Sequence, residues 1–322
     1  MSEIVHEQGA AFAPVVVFAY NRPQHTQQLL DSLAENSEAS DTLLYVYCDG
    51  PKTDATTQDL LAISETREIC RSEVRFRQLT IIERTQNLGL ASSIISGVTE
   101  VVERHGTVVV LEDDLVLSKH FLKFMNEALQ LYAVDDRVLS VGACNFFRNR
   151  WARSTTCFLP LPDCLGWATW RNRWRLFEPD GHKLLQKLED EGLQYSFNLH
   201  GYLDFISMLK KQCDGKISSW AIRWQTIAYL KNMLTLYPVI ALSQHRGSNN
   251  STHYGQDICP SLAQKPIHII KREAIVHERD YYCMVRGLMV LGDQNWVSRM
   301  KKRIRLFLTW RRKAGWLNRG NL

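Results

Sequence analysis

Three consecutive carboxylates, Glu112-Asp113-Asp114, close the apolar run Thr107-Val108-Val109-Val110-Leu111. A β-branched run of this kind suits an inner strand covered on both faces. Three acids at its end lose solvation and repel one another unless a cation or hydrogen-bond donors compensate. Hard oxygen ligands favour Mg²⁺ or Mn²⁺, ions that fill their remaining positions with water and phosphate oxygens. The chemistry expected is therefore metal-assisted handling of a diphosphate. A second reading makes the acids the cap of a helix starting near Ser118, because carboxylates stabilise helix N-termini.

The elements that would hold such a site alternate through the first third of the chain. Residues 14–19 read as a strand, and Asn21-Arg22-Pro23-Gln24 opens a helix with Leu29, Leu30 and Leu33 inward. Asn21 is expected as its N-cap, with Pro23 in the first turn where a missing N–H does no harm. A second strand over 43–48 ends in the turn Asp49-Gly50-Pro51, and a helix over about 57–70 follows. A third strand covers 79–82, followed by Arg84, Asn87 and Gly89. Leu90, Ile94, Val98, Val101 and Val102 then recur at helical spacing before the strand 107–111. Such alternation predicts an α/β fold with a parallel sheet, helices on both faces and right-handed crossovers. Ligands of open α/β sheets bind outside the carboxyl ends of the strands. There Asn21 and Arg22, Asp49, Arg84 and Asn87, and the acid triplet would converge on one rim. Taken singly, each of the first three clusters is also explained by ordinary cap and turn chemistry.

Several classes of function are excluded or demoted. The first strand lacks the Gly-x-Gly-x-x-Gly of a dinucleotide site, and no Walker A lysine motif occurs. The tract Arg148, Arg150, Trp151, Arg153, Trp167, Trp170, Arg171, Arg173, Trp174 and Arg175 is basic and aromatic. Its aromatic faces suit sugar rings and its arginines suit phosphate. Nucleic acid is not the expected partner, since the whole chain carries only +5 and no RNA-binding signature accompanies the tract. Eight cysteines stand singly, without a Cys-x-x-Cys, and read as reduced thiols rather than a zinc site. No early stretch resembles a signal peptide and no apolar run is long enough to span a bilayer, so a cytoplasmic protein is expected. Residues 300–317 interleave lysines and arginines with Ile304, Leu306, Phe307, Leu308, Trp310 and Trp316. That pattern is expected to touch an anionic membrane surface peripherally, or else to form a terminal helix packed on the body with a solvated basic side.

The set Phe18-Ala19-Tyr20-Asn21-Arg22-Pro23, Asp49-Gly50, Asn87-Leu88-Gly89-Leu90, Leu111-Glu112-Asp113-Asp114 and Leu165-Gly166-Trp167-Ala168-Thr169-Trp170 resembles bacterial GT-A glycosyltransferases. It is most similar to bacterial relatives of N-acetylglucosaminyltransferase I, which carry Glu-Asp-Asp where other members have Asp-x-Asp. The resemblance runs from about Val15 to His253. It implies a Rossmann-like, mostly parallel central sheet flanked by helices, an NDP-sugar donor (a uridine nucleotide) and Mn²⁺ or Mg²⁺. Asp114 would hold the metal, with Glu112 and Asp113 on the ribose or donor sugar, and the base near Tyr20, Asn21 and Asp49. Arg22, Arg84 and Asn87 complete the expected donor contacts. Trp167 is placed at the sugar pocket with Trp220 and Arg223. Trp170 is a further pocket candidate, with inward packing as its other reading. His253, after a small-residue run, is carried over as a metal or diphosphate contact. Where the family has an acidic general base before a tryptophan, this chain has Ser218-Ser219-Trp220. Asp163 is the substitute candidate and Asp204 the reserve, each with an ordinary loop or helix acid as its other reading.

The expected organisation is an N-terminal extension over 1–13 and a nucleotide-sugar half over 14–118. An acceptor half over 119–260 and a basic helical tail over 261–322 follow. The leading function is metal-dependent transfer of a sugar to a hydroxyl of a glycan or lipid-linked acceptor in bacterial surface polysaccharide synthesis. Two alternatives stand: a sugar nucleotidyltransferase, which would want an early Gly-rich loop that is lacking, and a non-catalytic nucleotide-sugar-binding protein.

Overall fold

The computed structural model describes residues 12–145, 154–246, 261–277, 280–281 and 283–284. His253, the segment from Arg148 to Arg153 and the tail 300–317 lie outside them.

The chain folds as the alternation predicts: β1 (Val15–Ala19), α1 (Pro23–Ala34), β2 (Leu43–Cys48), α2 (Thr57–Arg71), β3 (Gln78–Glu83), α3 (Leu90–His105) and β4 (Thr107–Glu112). Then come β5 (Leu115–Leu117), α4 (Phe121–Leu131), β6 (Val138–Gly142), β7 (Thr156–Leu159), β8 (Trp167–Trp170), α5 (Arg171–Trp174) and α6 (Gly181–Asp190). The last described elements are α7 (Gln194–Phe197), α8 (Phe205–Cys213), α9 (Trp220–Leu230), β9 (Leu234–Pro238) and β10 (Ser243–His245). The main sheet runs β3-β2-β1-β4-β8-β6-β9-β7. Pairings β1 with β2, β2 with β3, β1 with β4 and β6 with β9 are parallel, while β8 and β7 enter antiparallel. The sheet is thus mostly parallel, as expected.

Strand periodicity divides the core between the two faces. Val15, Val17, Val109 and Leu111 pack with α1 and α4 on one side. Val16, Phe18, Val108 and Val110 pack with α3 and α9 on the other. In α1, Leu29, Leu30 and Leu33 are each fully buried, and each contributes about 2 kcal/mol of transfer free energy. The C-cap of α3 is Gly106, whose φ of 85° is left-handed and whose N–H donates to Val102.

Three local expectations are corrected. The N-cap of α1 is Arg22, without a side-chain cap, because the Asn21 amide donates instead to Asp59 on α2. The acids do not cap a helix near Ser118: β5 intervenes, and α4 begins only at Phe121. After α9 the chain forms two separate strands, β9 and β10. Pro238 closes the first, and the chain then crosses to pair antiparallel with β5, His245 opposite Leu115. Residues 261–277 form an extended strap rather than a helix. Ile267 is buried and His268 exposed, a strand-like alternation, and Pro266 disfavours a helix. The strap is tied down where Ala263 N–H donates to Ala241, Ser118 Oγ to the Ala263 carbonyl, and Arg272 N–H to the Tyr132 hydroxyl.

Candidate functional site

The acid triplet sits at the carboxyl end of β4, next to the turn that leaves β1. Tyr20 N–H donates to Asp113 Oδ2 at 3.4 Å. Arg22 Nη1 lies 2.9 Å from Asp114 Oδ2 and 3.6 Å from Asp113 Oδ1. From the other side β10 brings His245 Nε2 to 3.2 Å from Asp114 Oδ2, and Arg246 N–H donates to the Asp114 carbonyl at 2.8 Å. Trp220, at the start of α9, lies beside Glu112 and favours its ionised form against burial, and its buried ring stacks on the equally buried Trp167 with centroids 5.0 Å apart.

Electrostatics divide the three acids. Burial, reinforced by the charges of Asp114 and Asp113, pushes the Glu112 carboxyl up to about 8. Burial and the charge of Asp114 push Asp113 up to about 7. Asp114 goes the other way: burial opposes its ionisation, but His245 and Arg22 outweigh it and hold its carboxyl below the usual range. Asp114 is therefore the standing anion of the set.

The site fits a divalent cation. Among the described residues Asp114 Oδ1 is buried without a hydrogen-bond partner. Carboxylate oxygen and imidazole nitrogen are both competent ligands. No group of three or more His, Cys, Asp or Glu that could cage a metal occurs among the described residues. Asp114 and His245 would thus supply two protein ligands, the number with which Mg²⁺-type ions complete their shell from water and phosphate.

Not every residue singled out in the sequence reaches this centre. Asp49 is buried and committed to a neighbouring loop: Oδ1 accepts from Gly50 and Leu88 N–H, each at 2.9 Å, and Oδ2 from Gly89 N–H at 3.0 Å. Asn87 Nδ2 donates to the Gly50 carbonyl at 2.9 Å. Arg67 Nη2 donates to the carbonyls of Asp49 and Arg84. The loops after β2 and β3 are so close that a Cβ on Gly50 would lie 2.5 Å from Gln86 backbone atoms. The Arg84 side chain turns away, over the Tyr47 ring and onto Ser96 Oγ. Trp170 is buried with its indole N–H on the Leu129 carbonyl. Arg223 is buried in α9 and donates to the carbonyls of Ser219 and Pro179, supporting the turn that bears Trp220.

The two candidate bases are likewise engaged. Asp163 Oδ2 accepts from Ala143 and Cys144 N–H and Oδ1 from Leu165 N–H. Burial pushes its carboxyl up to about 6 against those donors. Asp204 caps α8, accepting from Ser207 N–H. Ser219, at the position where the resemblance expects an acid, caps α9 through Ile222 N–H.

His245 is the site residue that sequence reasoning missed. Its one local signal is a histidine three residues past the apolar run Val239-Ile240-Ala241-Leu242, just before Arg246.

With this geometry in place the comparison with known proteins is direct. The family model described as Glycosyl transferase family 2 matches residues 15–195, more than half of the chain, from β1 into α7. The chain belongs to glycosyl transferase family 2. Among solved structures it is similar to TarS of S. aureus, with 15% identity, 43% of this chain covered and a TM-score of 0.26. It spans about a quarter of that protein, 26%, and a likeness so slight carries no argument. No curated protein matches the chain.

Proposed function

We propose that this protein is a metal-dependent glycosyltransferase that moves a sugar from an NDP-sugar, a uridine nucleotide, to a hydroxyl of a glycan or lipid-linked acceptor. The observation that carries the reading is Asp114, held ionised between Arg22 and His245 with one buried oxygen unpartnered. Family membership supports the reaction class. The closer kinship with N-acetylglucosaminyltransferase I rests on Glu112-Asp113-Asp114 and the surrounding motifs alone.

In this reading Asp114 and His245 hold Mn²⁺ or Mg²⁺. A bound divalent ion supplies Lewis-acid stabilisation of the negative charge on a departing diphosphate. The chain's own residues do the rest. Arg22 offers a guanidinium suited to phosphate oxygens. Glu112 and Asp113, with carboxyls raised by burial, address hydroxyls of ribose or sugar. Trp220 and Trp167, both buried and stacked on one another, back the Glu112 side of the site rather than offering a ring face to the sugar. Tyr20 and Asn21 border the base, while Asp49 and Asn87 shape that border by joining the two loops. Asp163 fixes the loops at 143–145 and 163–166 on the acceptor side.

The division proposed is a nucleotide-sugar half over 14–118 and an acceptor half over 119–260. His253 remains a proposed diphosphate contact. Residues 300–317 are proposed as a peripheral membrane contact on the cytoplasmic face; unchanged liposome partition after deletion past Met300 would remove that element. Among the described residues no helix is long and apolar enough to cross a membrane.

Incubation of purified protein with Mn²⁺ and a panel of NDP-sugars tests the reading. Slow, metal-dependent release of NDP is expected. Pyrophosphate chemistry would mean a nucleotidyltransferase, and binding without turnover a non-catalytic protein.

A further inference from the structure

We infer that Arg22 is a built-in counter-ion that makes binding of the divalent cation and of the diphosphate interdependent, an inference that rests on the donor-site reading above. Its guanidinium rests on Asp114 at 2.9 Å and on Asp113 at 3.6 Å, so it balances the acids that a cation would otherwise balance. The two sides of this contact differ in freedom. Asp113 is held by Tyr20 N–H, and Asp114 by His245 and through its carbonyl by Arg246 N–H. Among the described residues Arg22 is held, apart from the two aspartates, at its backbone, where its carbonyl accepts from Thr26 N–H and Thr26 Oγ1 and Pro23 follows in the first turn of α1. The Arg22 side chain is 34% exposed, against 11% and 13% for the two aspartates. The arginine can therefore leave while the acids stay.

Charge decides what each ligand meets alone. A divalent cation arriving by itself must share Asp114 with a guanidinium, and the two positive groups repel at short range in a partly buried site. A diphosphate arriving by itself meets two aspartates across which Arg22 is already spent. When both arrive, the cation takes over Asp114 and the guanidinium is released to the phosphate oxygens, which match its planar fork in a bidentate pair. Each ligand then improves the site for the other by the same factor, as linkage requires.

The test is Mn²⁺ binding to the full-length chain, read by loss of the free hexaaqua Mn²⁺ electron paramagnetic resonance signal, without nucleotide, with uridine and with UDP. With the Mn²⁺ taken up by UDP in a protein-free titration subtracted, wild-type protein should bind Mn²⁺ weakly alone and with uridine, and more tightly with UDP. In Arg22→Gln, Mn²⁺ alone should bind about tenfold tighter and the benefit of UDP should shrink by a similar factor, within the usual range of coupling between sites. Arg22→Met, which keeps the aliphatic stem, should behave alike, and Arg22→Lys should retain the wild-type pattern. Circular dichroism melts establish that each variant is folded. Neutral variants that bind Mn²⁺ no better than wild type and keep the full UDP effect would overturn the inference, as would uridine acting as strongly as UDP. Absence of Mn²⁺ binding to wild type under every condition would instead remove the metal-dependent reading itself, and the inference with it.

Discussion

His245 Nε2 lies 3.2 Å from Asp114 Oδ2, across 131 residues of chain. The contact exists because β10 pairs with β5, a strand of three residues set just after the acids. The imidazole is thereby delivered to the one acid of the triplet that stays ionised. His245→Ala should leave a folded protein whose Mn²⁺ affinity falls by about tenfold or more, since even the outer partners of a metal site are worth about ten- to a hundredfold. Titration of donor hydrolysis with Mn²⁺ checks this, and an unchanged metal requirement would separate His245 from the cation.

Asp49 separates a structural from a ligand role. Asp49→Ala would strand the N–H groups of Gly50, Leu88 and Gly89, and each buried unsatisfied group costs about 1–3 kcal/mol. A markedly lower thermal midpoint is expected, with weakened UDP binding as a consequence of the disturbed loops. Lost UDP affinity at wild-type stability would instead make Asp49 a direct nucleotide contact.

Trp220→Phe keeps an aromatic ring against Trp167 but removes the indole nitrogen that favours ionised Glu112. The stability change should be small, about 1 kcal/mol. The donor Michaelis constant should rise several-fold if the support that Trp220 gives to ionised Glu112 serves donor binding. An unaltered constant in steady-state kinetics would exclude Glu112 from donor binding.

Asp163 gives stability a pH dependence. Burial raises its carboxyl from an ordinary 3.8 to about 6 in the folded protein. The folded state therefore holds the proton more tightly than the unfolded chain. This contribution is full below pH 4 and is lost as pH rises through about 6, a change of about 3 kcal/mol for a shift of two units. Asp163→Asn, neutral throughout, should flatten that part of the urea midpoint against pH between 4 and 7. A slope equal to that of wild type would place its origin elsewhere.

The first half of the fold was legible because its signals are local. Alternating strands such as Val15–Ala19, the Pro23 turn and the apolar stripe of Leu90–His105 each declare themselves within one element. The acid triplet was legible because three carboxylates after a buried strand demand compensation. What compensates them was only half visible. Arg22 lies in the adjoining motif, whereas His245 depends on the pairing of two three-residue strands far apart in the chain, too short for periodicity to mark. Asn21 looked like a cap because nothing local reveals that Asp59 would claim its amide. Trp170 and Arg223 carry residue types that suit a sugar pocket, and only the tertiary packing shows their polar atoms already satisfied by backbone carbonyls.

The central claim is that Asp114 pins the cation that grips the departing diphosphate. Release of NDP from a uridine diphosphate sugar, followed with Mn²⁺ and with chelator for wild type and Asp114→Asn, tests it most directly. Turnover by wild type only with metal is expected, together with a loss on the order of a hundredfold or more in a folded Asp114→Asn, the scale of one preorganised contact to developing charge. Equal metal-dependent turnover by the two proteins would contradict it.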